Sequence, residues 1–189
     1  IFYGEASFKS SKSIKIMSKN NTIKEISSEN VCIATGGRPR EISGISNPSS
    51  VWFYKEALQV DKIPNKLLVV GSGAIGVEFA SFFAQMGSDV SLLESKSTIL
   101  PNEDLDVSNF VEKQFLNRGI KIYKNHSLLS FREKGEFFEA ELKSKDKMLS
   151  LEFEKAILAV GIVGNIENLN LEGVNIKCSN GSILVDEFC

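Results

Sequence analysis

The sequence lacks paired cysteines. Its 189 residues contain only three, Cys32, Cys178 and Cys189, which are widely scattered and form no CxxC pair. A sparse, odd number of cysteines fits a reducing compartment and excludes a zinc site built from cysteines alone. We therefore expect a cytoplasmic protein with no bound metal.

Long hydrophobic runs and a strong excess of one charge are also missing. No apolar stretch approaches the roughly 20 residues that span a bilayer. The net charge of −2 and the isoelectric point near 5.6 disfavour a nucleic-acid or anionic-membrane surface. We expect neither nucleic acid nor a membrane as a partner. What remains, 42% hydrophobic and 24% charged residues, is an ordinary globular composition.

Short β-like runs occupy the first part of the chain. "SIKIM", "TIKEI" and "VCIAT" predict a small antiparallel meander that leads into "IATGGRPR". The stretch at residues 41–50, "EISGISNPSS", is rich in Ser, Gly and Pro and is the predicted linker. The chain opens at Ile1 without a methionine and stops within "ILVDEFC", so we expect a piece of a longer protein.

A second unit is predicted from Lys66 onwards. "LLVV" is typical of a strand buried on both faces of a parallel sheet. A glycine turn, a helix over residues 74–86 closed by Gly87, and the strand "DVSLL" follow. A second helix is expected, with Asn102 as its cap. One apolar face at helical spacing is predicted for it, made of Val107, Phe110, Val111 and Phe115.

The remaining pattern completes the fold prediction. "IKIYK" is a third strand, "SLLSF", "EFFEAEL" and "LSLEF" form a second meander, and "AILAV" is another buried strand. The order βαβαβ, meander, β predicts an α/β fold. We expect a Rossmann-like parallel sheet with a β-meander crossover that covers part of one face.

Three glycines stand between the first buried strand and its helix. Gly71, Gly73 and Gly76 form GxGxxG, a motif that is weak alone but informative in this position. The first glycine permits a tight turn, the second lets a pyrophosphate approach the backbone, and the third lets helix and strand pack closely. The free N–H groups of the helix N-terminus favour an anion at this point.

Two carboxylates accompany the motif. Glu94 ends the second strand, 18 residues past Gly76, where a carboxylate can accept hydrogen bonds from both ribose hydroxyls of an adenosine. It would repel a 2′-phosphate, and the following "SKS" offers no arginine, so NAD is predicted over NADP. Glu78 is the lone acid of the apolar helix and must face either solvent or a ligand, because an unpaired buried carboxylate is costly.

The motifs together resemble the pyridine nucleotide-disulphide oxidoreductases. "IATGGRP", the GxGxxGxEFA fingerprint, the terminal glutamate and "AILAVGIVGN" occur in that family's order. Within the family, the stretch from "YKEALQV" to "SLLE" is most similar to the dihydrolipoamide dehydrogenase branch. The resemblance implies FAD-binding, NAD-binding and interface domains in a homodimer. It also implies a reaction in which dihydrolipoamide, presented on the dihydrolipoyl carrier domain of a 2-oxo acid dehydrogenase complex, is oxidised through a redox disulphide and FAD to reduce NAD⁺ to NADH.

The same resemblance assigns residues. It implies a FAD-domain meander over residues 1–42, an NAD-binding domain over 43–163, and a return into the FAD domain over 164–189, so partial FAD-domain strands are expected at both ends. Glu78 would lie beside the nicotinamide carboxamide, Leu128 would flank the adenine, and Gly161 would lie along the nicotinamide half. The other implied NAD contacts are Gly71, Ser72, Gly73, Ala74, Ile75, Gly76, Val77 and Glu94. On the FAD side they are Gly4, Ala34, Thr35 and Gly36.

Some family features are absent from the sequence. The CxxxxC redox pair, the first FAD fingerprint and the C-terminal His–Glu pair do not occur, so the chain by itself is expected to be inactive. His126, the only histidine, is expected at the surface. The family's GRxPN is replaced by "GIVGN" at residues 161–165. Within the superfamily, NADH oxidases, mercuric reductases and glutathione-reductase-like enzymes remain alternatives; outside it, a stand-alone NAD-binding module and a scaffold that has lost its ligand remain.

Overall fold

The computed structural model describes residues 1–43, 45, 49–145 and 147–189. In chain order, the elements up to the glycine turn are β1 (Glu5–Ser10), β2 (Ser13–Met17), β3 (Ile23–Ser27), β4 (Gly37–Pro39), β5 (Val51–Trp52), α1 (Tyr54–Ala57) and β6 (Lys66–Val70). After the turn come α2 (Ala74–Gln85), β7 (Asp89–Leu93), α3 (Leu105–Asn117), β8 (Lys121–Tyr123), β9 (Ser127–Lys134), β10 (Phe137–Lys143), β11 (Met148–Phe153) and β12 (Lys155–Leu158). The chain ends with β13 (Ile162–Gly164), a turn of 3-10 helix (Glu172–Val174), β14 (Cys178–Ser179) and β15 (Ser182–Ile183).

The chain folds as two compact units. Ile1–Arg38 and Ile162–Cys189 form one, here called the terminal unit, and Pro39–Gly161 forms the other, the central unit. The predicted linker at residues 41–50 falls inside the central unit, and four of its residues, 44 and 46–48, lie outside the described residues.

The central unit is built on a five-stranded parallel sheet. Its strand order is β5-β12-β6-β7-β8, so β6 occupies the middle position. The order along the chain reverses at β6, because β7 continues on one side while β12 returns on the other. In open α/β sheets a crevice for ligands forms at such a reversal, at the carboxyl ends of the strands.

Both faces of this sheet are covered. On one face Val69 packs with Phe83 of α2 and Phe115 of α3 in a core whose members are buried. On the other face Leu68 packs with Leu142 of the meander β9–β10–β11. A strand buried on both faces needs apolar residues at every position, which explains the unbroken "LLVV". The predicted fold class, a parallel sheet with a β-meander on one face, is confirmed.

The terminal unit contains small antiparallel sheets. The strands β1, β2 and β3 form a meander in that order, β4 pairs with β13, and β14 pairs with β15. Phe8 of β1 is buried, its N–H donates to the carbonyl of Leu169, and its own carbonyl accepts from the Asn170 side-chain amide at 2.8 Å. These contacts join the two sequence segments of the unit.

The predicted strand "VCIAT" is wrong. Residues 31–36 form no strand, and the third member of the meander is β1, which the sequence pattern did not indicate. A strand requires a neighbour for its ladder, and β3 pairs only with β2 among the described residues. The very short strands β5, β13, β14 and β15 were also missed. Runs of two or three residues carry no periodicity to detect.

The predicted cap of α3 is also wrong. Asp104, not Asn102, precedes the first helical residue, and its side chain accepts a 2.8 Å hydrogen bond from the N–H of Asp106. The helix α2, in contrast, ends as predicted. Its last residue is Gln85, and Gly87 two residues later has a φ of +98°, the left-handed conformation that stops a helix.

The apolar face predicted for α3 is only half correct. Phe115 is buried, but Phe110 and Val107 are exposed over 64% and 48% of their surface. The other buried residue of α3 is Ser108, whose hydroxyl donates to the carbonyl of Leu100. Ser108 and Phe115 are seven residues apart and share one side of the helix, so a polar residue occupies a core-facing position that an apolar pattern does not mark.

Candidate functional site: the glycine turn and Glu94

The turn between β6 and α2 lies at the carboxyl end of the central strand. Gly71 has a φ of +97°, and its N–H donates a 2.8 Å bond to the carbonyl of Leu93 in β7. A Cβ on Gly71 would stand 2.4 Å from the carbonyl oxygen of Ala159. Both the conformation and the crowding exclude any side chain here.

The other two glycines differ in what surrounds them. A Cβ on Gly76 would stand 1.9 Å from the Gly71 carbonyl oxygen, so this glycine lets α2 pack directly against the turn. Gly73 has open space: a Cβ there would meet no atom within 4 Å. Gly76 is therefore required by the fold, while Gly73 keeps the approach to the turn clear.

The N-terminus of α2 has no internal cap. Its cap residue is Gly73, which has no side chain, and no acidic residue lies in the first turn. Helix N-termini normally satisfy their free N–H groups with a side chain, water or a ligand. This end of α2 is open to an anion supplied from outside.

Glu94 lies directly against the turn, at the end of β7. The residue is only 6% exposed, and its carboxylate accepts four hydrogen bonds. Oε2 accepts from the N–H and the hydroxyl of Ser72, at 3.0 and 2.6 Å. Oε1 accepts from the N–H of Lys96 at 2.8 Å and the hydroxyl of Ser95 at 3.2 Å.

These contacts keep Glu94 ionised. Burial by itself raises the pKa of a carboxyl group, but the bonds from Ser72, Lys96 and Ser95 outweigh it and lower the pKa of Glu94 below its ordinary value. A carboxylate at this point can therefore accept hydroxyl hydrogen bonds and repel a phosphate at neutral pH.

Ser72 ties a second loop to the turn. It is completely buried, and its carbonyl accepts a 2.9 Å bond from the N–H of Leu100. Leu100 has a φ of +46°, which is rare for a side chain of this size. This position carried no recognisable sequence signal, because nothing in its type or spacing marks a left-handed leucine.

His126 lies closer to this site than expected. It is partly buried rather than at the surface, and its N–H donates to the carbonyl of Glu94 at 3.1 Å. Its Nδ1 lies 2.7 Å from the carbonyl oxygen of Lys124, and its ring packs edge-on against Tyr123. The parallel pairing of β7 and β8 places this segment beside the end of β7.

The remaining predicted NAD contacts fall in different settings. Glu78 is exposed in the second turn of α2, whereas Leu128 of β9 is only 8% exposed and belongs to the core between the meander and the parallel sheet. Gly161 has a φ of +112° and accepts a 2.9 Å bond from the N–H of Arg40. The others, Ala74, Ile75 and Val77, are in the first turns of α2.

The predicted FAD-side residues belong to the terminal unit. A Cβ on Gly4 would stand 2.4 Å from the Met17 carbonyl oxygen, so close packing alone requires this glycine. The carbonyls of Thr35 and Gly36 accept from the side chain and the N–H of Asn165, at 3.1 and 3.0 Å. Ala34 is exposed beside them.

Within residues 1–43, 45, 49–145 and 147–189, no cluster of three His, Cys, Asp or Glu side chains could hold a metal ion. None of the helices in those ranges has the length and apolar character needed to cross a membrane.

The family model described as "Pyridine nucleotide-disulphide oxidoreductase" matches residues 1–189. The chain belongs to this family. The family-level resemblance is therefore confirmed.

Curated members of this family are similar over most of the chain. The dihydrolipoyl dehydrogenase of Zymomonas mobilis is 42% identical over 87% of the chain and 36% of its own length. That of Rhizobium etli is 39% identical over 85% of the chain and 34% of its own length. The chain thus spans little more than a third of these relatives.

Solved structures agree on the architecture. The HOCl-induced flavoprotein disulfide reductase RclA from Escherichia coli matches with a TM-score of 0.79 and 27% identity, covering 97% of the chain and 41% of RclA. LpdA from Mycobacterium tuberculosis matches with a TM-score of 0.80 and 27% identity, over 94% of the chain and 39% of LpdA. Within its family the chain is therefore similar both to dihydrolipoyl dehydrogenases and to a reductase induced by an oxidant.

Proposed function

We propose that the central unit binds NAD(H), and that the chain is part of a dihydrolipoyl dehydrogenase in which it carries this nucleotide site. The observation that supports this most directly is the pairing of an open glycine with a fixed carboxylate. The Cβ side of Gly73 is free, while Glu94 is held one residue away through Ser72. A dinucleotide needs both features, one for its pyrophosphate and one for its adenosine ribose.

The residues present fit such a group. The uncapped N-terminus of α2 suits a pyrophosphate, and the ionised Glu94 suits ribose hydroxyls while disfavouring a 2′-phosphate. Glu78 is exposed near the same helix end, as a contact to the nicotinamide carboxamide requires. Gly161, with its left-handed conformation, is proposed along the nicotinamide half. Leu128 is proposed beside the adenine, which it could contact only through the 8% of its surface that the core leaves exposed.

The bound nucleotide and the two units of the chain have separate proposed roles. NAD⁺ supplies the hydride-accepting ring when bound, and the chain's residues hold and orient it. The terminal unit is proposed to contribute to the FAD side through Gly4, Ala34, Thr35 and Gly36, within domains bounded at residues 42/43 and 163/164. In the whole enzyme, oxidation of dihydrolipoamide by NAD⁺ transfers two electrons and one proton as a hydride and releases the second proton. The whole enzyme is proposed to be a homodimer that accepts the dihydrolipoyl carrier domain.

Calorimetric titration of the chain with NADH and with NADPH tests the nucleotide site. We expect NADH to bind at least about tenfold more tightly than NADPH, a difference of ~1.4 kcal/mol. Glu94→Gln should reduce the difference in affinity between NADH and NADPH, because it weakens the binding of NADH. Glu133→Gln removes the same charge from an exposed position on β9 and should leave the difference unchanged. Equal affinity for both nucleotides in the unmodified chain would show that Glu94 does not select against the 2′-phosphate.

A second experiment tests the proposed activity of the whole protein. An antibody raised against the chain would capture the native protein from the cells that make it, and the captured protein would be assayed with dihydrolipoamide and NAD⁺. NAD⁺-dependent oxidation of dihydrolipoamide is expected. Activity only with oxygen, mercuric ion or glutathione disulphide would favour one of the alternative flavoenzymes. A native mass near that of the chain, rather than the about 50 kDa of three domains, would favour a stand-alone module.

A further inference from the structure

Donors of the chain itself occupy the acceptor positions of the Glu94 carboxylate. A carboxylate offers about four acceptor positions, two on each oxygen. In the structure all four are taken, two by Ser72 on Oε2 and one each by Lys96 and Ser95 on Oε1. A ribose hydroxyl can bond to Glu94 only after one of these donors has left.

The four donors differ in how easily they can leave. Two are backbone N–H groups, which cannot turn away without moving the chain. The Ser72 hydroxyl is completely buried, and its 2.6 Å bond is the shortest of the four. Losing a partner inside the protein would leave a buried polar group unsatisfied, which costs more than the bond itself. Oε2 is therefore the anchored oxygen.

Ser95 is the exception. Its residue is exposed, and its bond to Oε1, at 3.2 Å, is the longest of the four. Rotation of its hydroxyl towards water breaks one weak bond and replaces it with another. Ser95 is the donor whose departure costs least.

We propose that the Ser95 hydroxyl competes with the adenosine ribose for Oε1 of Glu94, so that Ser95 sets the affinity of the site. This deepens the proposed function and rests on it. Oε2 remains with Ser72 in both states, and Oε1 exchanges the Ser95 hydroxyl for a ribose hydroxyl. The nucleotide thus gains one charge-assisted bond but must first displace a weaker one.

The test compares three variants by calorimetry with NADH. Ser95→Ala removes the competitor and should tighten NADH binding about two- to fivefold. Ser95→Thr restores a hydroxyl at the same position and should return the affinity to that of the unmodified chain. Ser97→Ala is the matched control, because Ser97 is an exposed serine of the same loop with no bond to Glu94 among the described contacts. It should leave the affinity unchanged.

A ligand lacking one ribose hydroxyl tests whether the gain in affinity depends on the ribose contact. With the analogue of NADH that has no adenosine 2′-hydroxyl, the gain from Ser95→Ala should shrink, because the freed oxygen has fewer hydroxyls to bond. An undiminished gain would show that Ser95 acts on the loop rather than on the ribose contact, and would overturn the proposal. Unchanged or weaker NADH binding in Ser95→Ala would overturn it as well.

A measurement without nucleotide separates this proposal from the function on which it rests. In a carboxyl ¹³C NMR titration of the ligand-free chain, Ser95→Ala should raise the pKa of Glu94, because one bond to the ionised form is lost. If that shift appears but neither protein binds NADH, the proposed function fails and the competition fails with it. If NADH binds and Ser95→Ala changes neither its affinity nor the Glu94 titration, only the competition fails.

Discussion

Ser72 donates two hydrogen bonds to one oxygen of Glu94, from its hydroxyl at 2.6 Å and from its N–H at 3.0 Å. The glycine turn and the end of β7 are therefore joined by a contact made within a single residue pair. Because Ser72 also accepts from Leu100, it holds the turn, the carboxylate and the following loop together. Ser72, the middle residue of GxG, is thus held by three hydrogen bonds.

The first prediction concerns Ser72. Ser72→Ala should lower the free energy of unfolding by about 1.5–3 kcal/mol at pH 7, because a buried bond to a charged group is lost. Urea unfolding followed by the fluorescence of Trp52, the only tryptophan and a member of the central unit, measures it. Ser95→Ala is the control. Its bond is longer and its residue exposed, so its effect should stay within about 0.5 kcal/mol.

The loss of stability in Ser72→Ala should depend on pH. The pKa of Glu94 is lowered in the folded chain, so the stability that this group contributes is present above its ordinary value of 4.5 and is lost as pH falls through the lower folded value. The difference between the unmodified chain and Ser72→Ala should therefore shrink in acid. A difference that stays constant from pH 7 to pH 3 would mean that ionisation of Glu94 plays no part in it.

The second prediction distinguishes the role of Gly76 in stability from the role of Gly73 in nucleotide binding. Gly76→Ala should destabilise the central unit by about 3 kcal/mol or more, since its Cβ would overlap the Gly71 carbonyl oxygen. Gly73→Ala should change stability by less than about 1 kcal/mol, because its φ of −69° suits alanine and its Cβ meets no atom. Yet Gly73→Ala should lower the affinity for NADH at least about tenfold, because the added methyl group fills the space through which the pyrophosphate approaches the turn.

Urea unfolding and calorimetry on both variants check this pair. A stable Gly73→Ala chain that binds NADH as tightly as the unmodified chain would show that no phosphate passes this position. A Gly76→Ala chain of unchanged stability would contradict the close contact between α2 and the turn.

Much of this site could be predicted from the sequence, for reasons visible in β6 and its turn. An apolar run, glycines whose spacing matches steric needs, and a carboxylate at a strand end are local signals that tertiary packing does not override. The contacts of Ser72 could not be predicted, because a serine inside GxG carries no mark of where its hydroxyl points. Which side of α3 faces the core could not be predicted either, because the helix has more apolar residues than are buried in the core.

The third prediction concerns an ion pair of the terminal unit. Arg38 donates to both carboxylate oxygens of Glu167, at 2.7 and 3.1 Å, and lowers the pKa of Glu167 to about 2. Carboxyl ¹³C NMR should show this midpoint in low salt, and Arg38→Gln should raise it towards the ordinary value of 4.5. Lys24→Gln removes a positive charge elsewhere in the unit and should leave it unchanged.

Salt provides a further check on this pair. Both side chains are about half exposed, at 49% and 58%, so their attraction is open to screening. In 1 M NaCl, where the screening length falls to about 3 Å, the midpoint of Glu167 should rise. A midpoint near 4.5 already in low salt would show that the two-pronged contact does not persist in solution.

The last prediction concerns the residue that caps the N-terminus of α3. Asp104 and Asn102 are both good capping residues by type, and they differ only in which one reaches a free N–H of the helix. Asp104 does so, at the N–H of Asp106, and Asp104→Ala should cost about 1 kcal/mol in urea unfolding. Asp104→Asn should recover most of that loss, because asparagine caps equally well, whereas Asn102→Ala should cost less than about 0.5 kcal/mol. The opposite order of the two alanine variants would move the start of the helix back to Asn102, and with it the loop that Ser72 holds through Leu100.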